Sequence, residues 1–234
     1  MALPDILKTL RLPVVGSPLF IVSGPEMVIA QCQAGIVGSF PSLNARPQAL
    51  LGEWLTRINR ELDEYRTEHP AEVVAPYAVN LIVHHSNDRI EQDIDTCIEF
   101  KVPIIITSLR ALDPKVVERI QAYGGLVFHD VINVRHAKKA AEAGVDGLIL
   151  VCSGAGGHAG TLSPFALTSE IKQWFKGTIL LSGAIANGHS ILSAQALGAD
   201  LAYMGTRFIA SEEANAEGDY KEMLVENNAV DIIY

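Results

Sequence analysis

Residues 147–160 read GLILVCSGAGGHAG, an apolar run that breaks into glycines around one histidine. The run 147–151 predicts a buried strand, and the glycines after it let the backbone approach a flat or charged ligand closely. Two further apolar runs also end in glycine turns, at Gly183 and Gly205. Three strands that end in this way within a short stretch of chain indicate a cofactor site at one end of a parallel sheet.

Short apolar runs alternate with longer amphipathic stretches along the whole chain, which is the pattern of repeated βα units. Most runs are continuous rather than alternating, so we expect strands buried on both faces in a parallel sheet covered by helices. The predicted strands are Pro13–Gly16, Gly35–Ser39, Tyr77–Val83, Pro103–Ser108, Gly125–His129, Asp146–Cys152, Thr178–Gly183 and Leu201–Gly205.

A helical stretch is predicted after each strand. Three of these stretches have clear bounds: Pro47 to about Glu68, Asn133 to Ala143, and Asn187 to Leu197. Gly144 and Gly198 follow the last two, as glycines at helix C-termini do. Eight such units in 234 residues favour a single eight-stranded (β/α)8 TIM barrel, residues 1–234, over an open doubly wound sheet.

Composition limits the classes of function. The formal net charge is −9, from 18 Lys and Arg against 27 Asp and Glu, which argues against a nucleic-acid partner. The three cysteines are far apart, so we expect no disulfide framework and a cytoplasmic location. No signal peptide or long apolar run is found, and no membrane partner is expected. The apolar ending 231–234 suggests that a C-terminal segment is missing.

In a barrel of this kind the chemistry lies at the C-terminal ends of the strands. These ends point to Asn80, Ser108, His129 and residues 152–158, 182–184 and 204–206. The two glycine turns at 182–184 and 204–206 predict a phosphate site, although tight βα turns alone also require glycine. The side chain of Met204 is expected to lie against whatever occupies the barrel mouth.

His158 lies in a loop with almost no bulky neighbours. An imidazole there could act as a general base, donate a hydrogen bond to an anion, or have only a structural role. His84, His85 and the pair His129-Asp130 are not accompanied by ligands at a recognisable spacing, so no metal site is expected. The pair His129-Asp130 is expected to support the barrel mouth instead. Cys152 has no activating base beside it and is predicted to be a small buried residue.

Taken together, the motifs resemble those of the nitronate monooxygenase family, formerly called 2-nitropropane dioxygenases, over nearly the whole chain. The segments that carry this resemblance are 155–160 (AGGHAG), 182–188 (SGAIANG), 198–208 (GADLAYMGTRF), 79–81 (VNL) and 13–19 (PVVGSPL).

The resemblance implies FMN as cofactor, and oxidation of an alkyl nitronate by O2 to a carbonyl compound and nitrite. His158 resembles the catalytic base of the family. The resemblance also implies a small-molecule substrate and is compatible with a homodimer. The implied cofactor residues are Pro18 and Leu19 after the first strand, Asn80, Gly156 and Gly157, Ser182, Gly183 and Ala184, and Tyr203, Met204, Gly205 and Thr206.

The chain departs from the family pattern at several of these positions. Leu19 stands where methionine is usual, Val151 and Tyr203 stand where glutamines are common, and Ala184 replaces a glycine. The alternatives are an NAD(P)H:quinone reductase or enoyl-acyl-carrier-protein reductase on the same flavin barrel, a flavin-free phosphate-binding isomerase or lyase, and a flavin binder without turnover. No strand–GxGxxG–helix unit that would bind a dinucleotide is present.

Overall fold

Eight parallel strands form one closed sheet in a computed structural model that describes residues 3–157 and 160–232. The strands are β1 Val14–Gly16, β2 Gly38–Pro41, β3 Tyr77–Val83, β4 Ile104–Leu109, β5 Leu126–Val131, β6 Gly147–Val151, β7 Thr178–Ser182 and β8 Leu201–Met204. β1 pairs with β8, and the remaining strands follow in order down to β2. A parallel bridge between Val15 and Val37 joins β1 to the β2 segment and completes the ring. The predicted (β/α)8 fold is confirmed.

Helices surround this ring. They are α1 Asp5–Lys8, α2 Pro25–Gln33, α3 Leu50–Glu68, α4 Ile90–Glu99, α5 Pro114–Gln121, α6 Val134–Glu142, α7 Pro164–Lys172, α8 Gly188–Leu197, α9 Thr206–Ile209 and α10 Gly218–Glu226. A helix follows every strand, and α1, which precedes β1, was not expected. None of the helices in the described residues is long and apolar enough to cross a membrane.

The helix ends follow from their capping residues. The Asn187 side chain accepts the N–H of Ser190 at 3.0 Å and so begins α8. Gly198 ends α8 in the left-handed conformation with φ of +102°. Asn133 caps α6 in the same way through the N–H of His136, at 2.9 Å. These bounds agree with the predicted ones.

Alternation along the strands divides the core into two layers. Along β3, Ala78 points into the barrel and Val79 points toward the helices. The inner layer also receives Leu7 of α1, which is only 2 % exposed. Inward-facing side chains of the barrel are Val15, Val37, Ala78, Ile104, Ile106, Phe128, Ile149, Leu180, Leu201 and Tyr203. The barrel is therefore a packed core, as usual for this architecture.

Only β3 has its predicted bounds, and five other strands differ from theirs by no more than one residue at either end, whereas β2 and β5 differ by more. β2 begins at Gly38 rather than Gly35, because Gly35 has a φ of +81° and belongs to the turn after α2. β5 continues past His129 to Val131. This extension matters because the inward-facing position at its end is Asp130, not His129.

Candidate active site

The C-terminal ends of the strands bring the described site residues to one face of the barrel. Pro18 and Leu19 follow β1, Asn80 lies in β3, Gly156 and Gly157 follow β6, Ser182 to Ala184 end β7, and Tyr203 to Thr206 end β8. His158, the predicted catalytic base, lies outside the described residues.

The loops after β6 and β7 are hydrogen-bonded to each other, and the loop after β8 lies near the loop after β6. The N–H of Ala184 donates to the carbonyl of Gly154 at 2.9 Å, and the N–H of Cys152 donates to the carbonyl of Ser182 at 3.1 Å. A Cβ placed on Gly156 would lie 3.9 Å from the Thr206 hydroxyl. The three glycine-bearing loops found in the sequence thus form one continuous surface, which we call the glycine half of the mouth (residues 153–157, 182–184 and 205–206).

Gly183 is required by this packing. Its φ is +141°, and a Cβ there would lie 2.7 Å from the carbonyl oxygen of Ser153. The glycine therefore allows the loop after β6 to approach β7, which is a different reason from the direct approach of a phosphate. The next residue, Ala184, has a φ of +52°, and its N–H is already engaged by Gly154.

Several parts of the glycine half remain accessible. Gly156 and Gly157 are exposed, and a Cβ on Gly157 would meet no atom within 4 Å. At the start of α8, by contrast, the N–H groups of Ala186 and Asn187 both donate to the Ser190 hydroxyl at 3.0 Å. The capping of α8 therefore engages these two backbone donors, which follow the turn at 182–184. The remaining backbone candidates lie at 156–157 and at 205–206.

The opposite half of the mouth carries side chains instead of glycines. Asn80 donates to the Ser108 hydroxyl at 2.9 Å, and Ser108 donates to Oδ2 of Asp130 at 2.6 Å. We call these three residues, from β3, β4 and β5, the polar row. Within the described residues, Oδ1 of Asp130 is buried and has no hydrogen-bond partner. Asp130 was expected only to support the barrel mouth together with His129, although alternation from Phe128 would have shown that it points inward.

Burial changes the pKa of Asp130 in the polar row and that of the neighbouring Tyr203. It raises the pKa of Asp130 to about 6, against the opposing effect of the hydrogen bond from Ser108. Burial foremost, and then the charge of Asp130, raises the pKa of Tyr203 well above its ordinary value. The inner wall of the mouth thus holds a carboxyl group that titrates near neutrality beside a phenol that stays neutral.

His129 belongs to the outer layer, contrary to the expectation that it lies at the mouth. Its Nδ1 is 2.7 Å from the Thr107 hydroxyl. Burial foremost, and then the nearby His136, lowers the pKa of His129 to about 4, so the ring is neutral at pH 7.

The position of the Met204 side chain also differs from the predicted one. Its side chain is 6 % exposed and packs in the layer between strands and helices, not against the mouth. Only its backbone is near the site, where its carbonyl accepts the N–H of Ser17 at 2.7 Å. Cys152 is buried, as expected, and burial raises the pKa of its thiol to about 11.

The loop that carries Pro18 and Leu19 is held by Asn44. The Asn44 side chain donates to the carbonyls of Leu19 at 3.0 Å and Ser23 at 2.8 Å, and accepts the N–H of Ile21 at 2.9 Å. These three bonds fix the loop after β1 relative to the segment after β2, and they position the two residues expected to contact a flavin ring.

The segment that holds Asn44 is itself anchored by a buried ion pair. Arg89 lies 3.0 Å from Asp93, whose side chain is fully buried, and donates to the carbonyl of Ala45 at 2.7 Å. The Ser42 hydroxyl donates to the same carboxylate at 2.7 Å. Because every member has a partner, this cluster serves to position the loop.

His84 and His85 lie side by side after β3. His84 and His85 stack with ring centroids 3.9 Å apart, and His84 Nδ1 is 2.7 Å from the Ser86 hydroxyl. In the ranges that the structure describes, no three His, Cys, Asp or Glu side chains are grouped to hold an ion.

The chain is similar to several known proteins. The sequence model described as nitronate monooxygenase matches residues 40–234. The chain is 26 % identical over 209 residues to (3aS,4S,5R,7aS)-5-hydroxy-7a-methyl-1-oxo-octahydro-1H-indene-4-carboxyl-CoA dehydrogenase of Rhodococcus jostii, covering 89 % of this chain and 55 % of that protein. It is 24 % identical over 253 residues to the nitronate monooxygenase of Paraburkholderia phytofirmans, covering 91 % and 67 %.

A solved structure shares the architecture. FabK from Thermotoga maritima superposes with a TM-score of 0.81 at 26 % identity, over 95 % of this chain and 67 % of that one. The chain spans only a little more than half the length of the Rhodococcus relative.

Proposed function

Because the chain belongs to the nitronate monooxygenase family, we propose that it is an FMN-dependent oxidoreductase that converts an alkyl nitronate and O2 into a carbonyl compound and nitrite. The observation that carries the proposal is that the three loops of the glycine half lie together at one side of the barrel mouth. Their accessible backbone lies opposite a row of fixed polar side chains, so one face can hold a phosphate and the other a heterocyclic ring.

The residues present fit FMN. The backbone at 205–206 and 156–157 offers uncharged donors to the phosphate, which suits a chain of net charge −9. Asn80 and the clamped loop at Pro18 and Leu19 would contact the ring. When bound, FMN supplies the two-electron chemistry, and the protein binds and orients the reactants.

We assign the proton transfer to His158. Its imidazole would take the proton next to the nitro group of a neutral nitroalkane, or hold a nitronate that has already formed. The assignment rests on the family motif at 155–160.

A reductase is the second candidate, because quinone reductases and enoyl-acyl-carrier-protein reductases resemble this chain in fold and in the histidine of the glycine loop. Val151 and Tyr203 replace the glutamines common in nitronate monooxygenases, so the ring contacts of this chain differ in detail. An enoyl-acyl-carrier-protein or quinone reductase would draw its electrons from NAD(P)H instead of a nitronate.

The proposal includes a cytoplasmic location, which the three free and buried cysteines support, and leaves a homodimer as the assembly to test. The function is tested by steady-state assay after reconstitution, with mass spectrometry of the released cofactor. We expect FMN rather than FAD, and nitrite formed from a nitronate with consumption of O2. Bound FAD, or NADH oxidation without nitrite formation, would contradict it.

A further inference from the structure

Asp130 has features that its hydrogen bond to Ser108 does not explain. It is the last inward-facing residue of β5, because Phe128 two positions earlier lies in the inner core. Its Oδ2 is engaged by Ser108 at 2.6 Å, while Oδ1 is buried and unpartnered within the described residues. A buried carboxylate oxygen without a donor is costly, so the group responds strongly to charge placed nearby.

Among the described residues, no charged side chain at the inward-facing ends of the neighbouring strands compensates Asp130. Ser108 on β4 and Asn80 on β3 are neutral, and the inward-facing ends of β6 and β7 are Val151 and Ser182. Tyr203 on β8 is the titratable group that faces it, and burial keeps that phenol protonated. His129, next to it in β5, points outward and is neutral at pH 7.

Resting on the proposed FMN site, we propose that Asp130 is a proton-accepting residue of the cofactor site, which is ionised beside the oxidised ring and takes up a proton when the ring becomes negatively charged on reduction. Two electrons from the reductant and one proton convert the ring into its anionic reduced form. One further proton from solvent converts the Asp130 carboxylate into the acid. The neutral acid then no longer repels the reduced ring.

The pH range in which Asp130 takes up a proton follows from the direction in which its pKa changes on reduction. Burial raises the pKa of Asp130 to about 6 before reduction, and a negative ring raises it further. Below pH 6 the group is already protonated, so reduction takes no extra proton there. Above pH 6 the ionised group takes one extra proton per two electrons, until the pH exceeds its raised value.

The test is the midpoint potential of bound FMN between pH 5 and 8, measured by dithionite titration of the wild type and of Asp130→Asn. The Asn variant keeps the shape of the side chain and cannot titrate. We expect equal slopes below about pH 6. Above it, the wild-type potential should fall more steeply by one proton per two electrons, about 30 mV per pH unit. Asp88→Asn, which changes an exposed aspartate, is the matched control and should retain the wild-type slope.

Two further variants keep the inference falsifiable. Ser108→Ala removes the hydrogen bond that lowers the pKa of Asp130, so the steeper slope should begin at higher pH. The Asp130→Asn comparison is repeated with His158→Ala in both proteins, which removes titration of that imidazole. Equal slopes in the wild type and Asp130→Asn overturn this inference alone. Failure of the wild type to bind FMN overturns the proposed function together with it.

Discussion

The two halves of the barrel mouth differ in the groups that they expose. The glycine half, from β6 to β8, presents backbone, and its loops are joined by main-chain hydrogen bonds such as Ala184 to Gly154. The polar row, from β3 to β5, presents side chains joined to each other, ending at Asp130. Backbone groups suit a phosphate that must be held without a large opposite charge, whereas fixed side chains suit a ring with donors and acceptors on its edge.

This difference separates retention of the cofactor from tuning of its chemistry. Changes in the packing of the glycine half should release FMN. Changes in the polar row should leave FMN bound and alter the protonation and the charge of the site.

The largest effect is expected for His158, in the loop of the glycine half. His158→Ala should lower activity on a neutral nitroalkane by about 10²–10⁴-fold, because a general base is lost. A preformed nitronate needs no proton abstraction, so its turnover should fall much less, and FMN should remain bound. Steady-state kinetics on both substrates check this. Equal losses would make His158 a group that binds or orients the anion, and no loss would leave it a structural role.

The next effect concerns retention of FMN. Gly183→Val places a branched side chain at a φ of +141° and against the Ser153 carbonyl. Strain and displacement together cost about 3 kcal/mol; relief of that strain by movement of the loop after β6 should raise the Kd for FMN, by at most about 100-fold. The matched control is Gly188→Val in the same connection, where a Cβ meets nothing within 4 Å. Fluorescence titration with FMN measures both variants. Similar affinities for the two would show that the cofactor does not depend on the loop packing.

A smaller effect separates the two neighbours at the end of β5. The folded state lowers the pKa of His129 to about 4, so this group destabilises the fold as pH falls from about 6.5 toward 4. It raises the pKa of Asp130 to about 6, so that group stabilises the fold as pH falls from about 6 toward 4. The two effects oppose each other in the shared window, each by at most about 1.4 kcal/mol per pH unit.

The free energy of unfolding, measured by urea denaturation at pH 7, 6, 5 and 4, distinguishes the effect of His129 from that of Asp130. Relative to wild type, Asp130→Asn should lose stability more steeply on acidification, and His129→Gln should lose it less steeply. The lost contact of His129 with Thr107 shifts the whole curve of that variant and not its slope. Parallel curves for all three proteins would show that neither group has the acidity assigned to it.

The sequence was sufficient for the fold because its signals are local. The strand Tyr77–Val83 was predicted to the residue, and Asn187 and Gly198 mark the ends of α8 by their capping chemistry. The site was harder to predict because it depends on which way side chains point. Ending the fifth strand at His129 hid the inward position of Asp130, and the apolar character of Met204 could not show that it packs outward.

Contacts between distant segments lay beyond the sequence for a different reason. Gly183 was predicted to let the backbone approach a phosphate, whereas the group that lies against it in the structure is the Ser153 carbonyl from another loop. The clamp of Asn44 on the loop after β1 likewise arises only when two connections meet at the mouth.

The most direct measurement is an anaerobic titration of the FMN-loaded protein, followed through the visible absorption of the flavin. We predict that an alkyl nitronate bleaches the oxidised flavin in proportion to the amount added, that NADH does not, and that admission of O2 restores the absorption with release of nitrite. Bleaching by NADH with none by the nitronate would contradict the proposed function and favour a reductase on the same barrel.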